Sequence, residues 1–180
     1  MTAPRSLARE EVAGCELAPL RRIRGWLVFF AVALAASGAT AFFLPWETRV
    51  LVKSLWGDAL PGTSWAPGLH AWLVVCRDAL AETEARHPFL LYGTDWLGFA
   101  HLMFAVLFLD AARDPARSTG VVRFGLICCA GVVVHAAIFV PLRGIPVYWI
   151  AVDGAFGVFG AVPLWLILRD LRRLATAESR

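Results

Sequence analysis

The stretch Gly25 to Leu44, GWLVFFAVALAASGATAFFL, runs for 20 residues without a charge. At 1.5 Å per residue a helix of this length covers about 30 Å, the thickness of a bilayer's hydrocarbon core. Lipid offers the backbone no hydrogen bonds, so every N–H and C=O must pair within the segment, and a helix rather than a strand is predicted. The small residues Ala35, Ala36, Ser37, Gly38, Ala39 and Ala41 let a neighbouring helix approach closely. Ala39-Thr40-Ala41 also has the form of a signal-peptidase site. The apolar run is nevertheless longer than a usual signal core, and the tail before it is long and carries Glu10, Glu11 and Glu16, so an uncleaved helix is the better reading.

Working outward, three more stretches have the same character. They run from about Leu91 to Ala112, from Val121 to Val140 ahead of Pro141, and from Val147 to Leu168. In the first of these only Trp96 to Leu109 is free of charge, which puts Asp95 or Asp110 at a membrane boundary. Composition agrees: 59% of the 180 residues are hydrophobic and only 17% charged, more apolar surface than a water-soluble domain of this length could bury. No linker composition divides the chain and no repeat recurs along it. The expected fold is an all-α membrane protein, a four-transmembrane-helix bundle. Residues 1–24 form a cytoplasmic tail and 25–180 a single domain.

The arginines orient it. Arg5, Arg9, Arg21, Arg22 and Arg24 precede the first span, Arg113, Arg117 and Arg123 surround the second connection, and Arg169, Arg172, Arg173 and Arg180 follow the last span. Only Arg49, Lys53, Arg77, Arg86 and Arg143 fall on the other side, so both termini are expected in the cytoplasm of a bacterial inner (plasma) membrane. Topology accounts for the net charge of +3, and no nucleic-acid partner is implied. Asp110 is expected to pair with Arg123 across the cytoplasmic turn.

The loop of about residues 45–90 is too long to be a bare connection. Val52, Leu55, Trp56, Ala59 and Leu60 recur at helical spacing, and after the Pro61-Gly62 to Pro67-Gly68 break so do Leu69, Trp72, Leu73, Cys76 and Leu80. Two short amphipathic helices are expected in this extracytoplasmic loop, lying on the membrane face or capping the bundle.

Signatures of strong chemistry are missing from the sequence: there is no CxxC, CxxCH, HExxH, GxSxG or P-loop. Cys15, Cys76 and the Cys128-Cys129 pair fall at different levels, which argues against a disulfide scaffold, and the adjacent pair reads as small hydrophobes. Gly154, Gly157 and Gly160 read as a helix-packing surface, too deep for a phosphate loop.

What remains is a set of ionisable residues inside oily segments, where charge is costly. Counted from the outer ends of their spans, His101, His135 and Asp153 lie at roughly 13, 8 and 9 Å depth, one common level. His101 shares a helical face with Gly98 and Ala105, His135 with Cys128 and Gly131, and Asp153 with Gly157 and Gly160, which predicts that all three point into the bundle. Asp95 and Arg143 extend the polar zone outward, with Arg143 able to pair with Asp95 or Asp153. His70 and His87 in the outer loop read as ordinary surface histidines.

Three functions follow from such a cluster. It serves as interhelical glue in a non-enzymatic accessory or oligomer-forming membrane protein, whose partners are the bilayer and either further copies or another membrane protein. Alternatively, His101 and His135 ligate haem b axially, or with Asp153 hold a divalent metal, giving a redox protein. Thirdly, His101 and Asp153 form an acid–base pair in an intramembrane enzyme or proton-coupled carrier. The first is the leading reading.

Overall fold

A computed structural model describes the backbone from Arg5 to Glu178 and the side chains of residues 19–176. The side chains of Arg5, Arg9, Glu10, Glu11, Cys15, Glu16 and Arg180 lie outside the described residues. Six α-helices succeed one another: α1 (Arg5–Phe42), α2 (Leu44–Trp56), α3 (Pro67–Arg86), α4 (Tyr92–Arg113), α5 (Thr119–Leu142) and α6 (Trp149–Glu178). No strand occurs among the described residues. Four segments are long and apolar enough to cross a membrane: Pro19–Phe42, Pro88–Arg113, Thr119–Leu142 and Trp149–Thr176.

Proline and glycine punctuate the chain as their chemistry requires. Pro45 and Pro67 occupy first-turn positions of α2 and α3, where a missing N–H costs nothing. Three short 3₁₀ turns, Pro61–Thr63, Pro88–Leu90 and Pro115–Arg117, each open on a proline. Gly57 (φ 58°) closes α2 in a conformation that side chains resist. Helix α1 begins well before the expected span, because the Ala, Leu, Glu and Arg residues of the tail are good helix formers.

The chain packs as two compact units. One joins the chain up to Val32 to the chain from Val106 onward; the other holds Ala33–Ala105. In the first unit Ile23, Leu27, Val122, Leu164 and Ile167 are completely buried, and the rings of Phe30 and Phe108 lie 4.9 Å apart. Helices α5 and α6 pack against each other at backbone contact. A Cβ on Gly157 would strike the Cys129 carbonyl oxygen, and one on Gly125 would come 2.8 Å from Leu164 Cδ1. Gly157 is thus a packing glycine, as its position in the sequence implies.

Arginines fasten one end of this unit. Arg22 donates from Nε (3.0 Å) and Nη2 to the Asp170 carboxylate, which is only 4% exposed. Arg24 donates from Nε to the Ala112 carbonyl at 2.9 Å, capping the last turn of α4. Asp110 pairs not with Arg123 but with Arg113, at 3.0 Å and one helical turn away, a partner that needs no crossing of the connection.

In the second unit α1 and α4 meet at Gly38 and Gly98; a Cβ on either would sit 2.8 Å from the other's carbonyl oxygen. Helices α2 and α3 pack through aromatic rings. Trp56 stacks on His70 at 4.3 Å, with planes 6° apart, and on its other neighbour Trp65 at 5.6 Å. His70 is therefore buried rather than a surface histidine, because Trp56 covers its ring. His87, at the end of α3, is exposed as expected.

Candidate functional site

The α5–α6 hairpin carries a half-open cleft of about 290 Å³, lined by His135, Phe139, Val140, Arg143, Ile145 and Asp153. Local chemistry builds it. Pro141 leaves α5 one donor short near its end, and the chain turns there. Arg143 N–H bonds the Phe139 carbonyl at 3.0 Å and Ile145 N–H the Val140 carbonyl at 3.0 Å, which folds the turn back over the helix end. Gly144, at φ 66°, supplies the left-handed step this turn needs. The chain re-enters a helix at Trp149, and Asp153 follows one turn later on α6. Across from it the imidazole of His135 rests on Phe139, ring centroids 4.5 Å apart.

The charges in this cleft are unpaired. Among the described residues neither the Asp153 carboxylate nor the Arg143 guanidinium has an ion-pair or hydrogen-bond partner, and they do not pair with each other. Arg143 contributes only its backbone N–H. Of the two partners open to Arg143 in the sequence, Asp95 and Asp153, the second lines the same cleft without pairing with it.

The other expected site residues behave differently. His101 lies in the second unit, where its Nδ1 is 2.8 Å from the Leu97 carbonyl oxygen of its own helix. A carbonyl only accepts, so Nδ1 is the donor in this contact. The His101 Cβ would lie 3.0 Å from a Cβ on Gly38, so the face shared with Gly98 is a helix contact as expected. Asp95 stands in the first turn of α4, where a carboxylate suits the positive end of the helix dipole.

His135 departs from its expected orientation. The buried stripe of α5 is Val122, Gly125, Cys129, Ala136 and Val140. His135, Cys128 and Gly131 are exposed, with nothing near a Gly131 Cβ. Adjacent positions on a helix differ by about 100°, and both stripes contain small residues, so residue size alone did not select the buried one. His135 reaches the cleft from the edge of its helix.

The metal reading gains no support: among the described residues no three His, Cys, Asp or Glu side chains come together as a group that could hold an ion. His101 is engaged with its own helix, and the titratable companion of Asp153 in the cleft is His135. The donor set lends no support to a haem or redox role for His101 and His135 either.

Two polar features escaped the sequence reading. One is the Arg22–Asp170 pair. The other is the aromatic stack of the second unit, in which Trp56 Nε1 and His70 Nδ1 are buried without a hydrogen-bond partner among the described residues. Nearby on α3, burial pushes the Cys76 thiol up, which keeps it a poor nucleophile near neutral pH.

No known protein family, curated protein or solved structure matches the chain.

Proposed function

We propose that the chain is an integral membrane protein of four spanning helices, with both termini on the cytoplasmic face of a bacterial inner membrane. It acts as a non-enzymatic accessory component that assembles with its own copies or with another membrane protein. The observation that carries this reading is how little of each span the chain covers itself. Between 17% and 22% of each span's most apolar stretch is buried, while Ile127, Phe156 and Phe159 are at least 70% exposed. Each such side chain left in water forfeits about 1.5–3 kcal/mol of transfer free energy, which lipid or a partner helix supplies. The arginines crowd onto one side of the spans, as an inserted topology requires.

Membrane fractionation tests insertion: the chain stays in the pellet through alkaline carbonate and leaves it only with detergent. Recovery in the soluble fraction would end this reading. Reporter fusions test orientation, with a periplasm-active enzyme working after Thr63 and a cytoplasm-active one after Glu178. Crosslinking of intact membranes then reads self-association directly.

The unpaired cleft favours a second role, ligand binding at the α5–α6 turn, whose chemistry is developed below.

A further inference from the structure

We propose that the α5–α6 cleft binds a zwitterion carrying a primary ammonium group beside a phosphate, the headgroup chemistry of phosphatidylethanolamine. The proposal rests on the membrane reading above for its lipid source, but the binding chemistry is independent of it. The cleft is lined by one guanidinium, Arg143, and one carboxyl group, Asp153, neither of them partnered among the described residues. Open charges beside apolar walls are costly, and a ligand bearing both signs neutralises both in one event. A guanidinium takes two phosphate oxygens in a fork, and a carboxylate accepts N–H bonds from a primary ammonium. His135, fixed on Phe139, adds a ring nitrogen that can donate to the phosphate.

Competing occupants fit worse. An anionic lipid would meet Arg143 but leave Asp153 facing negative charge. A metal ion lacks a third ligand. A volume of about 290 Å³ lies at the lower end of small-molecule sites, enough for a headgroup but not a whole lipid. Phe139, Val140 and Ile145 give the glycerol end an apolar wall. At the opposite end of the same unit, Arg22 and Asp170 close on each other; the cleft leaves the same two residue types apart.

The test is native mass spectrometry of the detergent-purified full chain, given equimolar phosphatidylethanolamine, phosphatidylcholine and phosphatidylglycerol. Phosphatidylcholine has no ammonium hydrogens and phosphatidylglycerol no cation, so wild type retains phosphatidylethanolamine about tenfold over either, the worth of one charged hydrogen bond. Asp153→Asn erases the preference, Asp153→Glu keeps it, and Arg143→Gln weakens retention of all three lipids. Thermal melts in detergent confirm that each variant is folded.

Equal retention of the three lipids by wild type, or an unchanged preference in Asp153→Asn, overturns the proposal. Soluble glycerophosphoethanolamine is the second arm. If it binds and depends on Asp153 while lipid does not, the zwitterion chemistry stands and its source is soluble. If the chain fails to enter membranes yet still binds glycerophosphoethanolamine, the membrane reading falls and the site survives. Stable insertion with no binding in either arm sinks the site alone.

Discussion

The two ends of the first unit use the same residue types to opposite effect. At one end Arg22 and Asp170 meet with the carboxylate buried, and Arg24 caps the end of α4. At the other, Arg143 and Asp153 line a cleft and remain apart. An arginine–aspartate pair that closes on itself holds helices together and has nothing left to offer a ligand. One held open costs stability and keeps its hydrogen-bonding capacity for something else. The contrast separates architecture from recognition without any appeal to residue identity.

Substitutions can break that contrast, beginning with the strongest. Arg22→Ala leaves Asp170 buried, with only Arg169 Nε at 3.8 Å for company. Uncompensated buried charges cost about 3–5 kcal/mol, and because Arg22 is itself more than half exposed the loss falls at the low end, about 3 kcal/mol, read by thermal or denaturant unfolding in detergent. Gly157→Ala drives a methyl into the Cys129 carbonyl; backbone cannot yield as a side chain does, and the variant loses about 2 kcal/mol in the same assay. Asp170→Asn keeps an acceptor for Arg22 but removes the charge, a loss of about 1 kcal/mol. Arg143→Gln, at the open end, stays within about 0.5 kcal/mol of wild type, because it breaks no interaction of the folded chain. If Arg143→Gln proves as damaging as Arg22→Ala, the two ends are not different in kind.

The four long apolar helices, and a helix on either side of the Pro61–Pro67 break, were legible in the sequence because each depends on local information: the length of an apolar run, a 3.6-residue period, a proline or glycine at its edge. Ala59 and Leu60, expected in the first loop helix, lie beyond its end at Trp56. Boundaries moved by a few residues where caps intervened, as when α1 stopped at Phe42 and Leu44 opened a new helix ahead of Pro45. The site was legible in part. Arg143, His135 and Asp153 line one cleft because the turn between α5 and α6 is short, and a short turn fixes neighbours from sequence alone. His101 could not be judged that way. Its Nδ1 bond to Leu97 is local, but depth along a span says nothing about which neighbour a helix faces. Arg22 read as a topology charge because its partner lies 148 residues away. His70 read as a surface residue because burial by Trp56 is a property of two helices and not of one.

The close fit of Gly157 against Cys129 also has a mechanical side. With backbone touching backbone, α5 and α6 cannot slide along each other without lifting apart, so the hairpin moves as a stiff two-pronged fork. Flexing is left to the six residues that join the prongs, and within them to Gly144, the one described there with a positive φ. The mouth of the cleft is set at that joint. A β-branched residue at position 144 would therefore strain the left-handed step and shift the aperture, while the packed faces of the prongs keep their contacts.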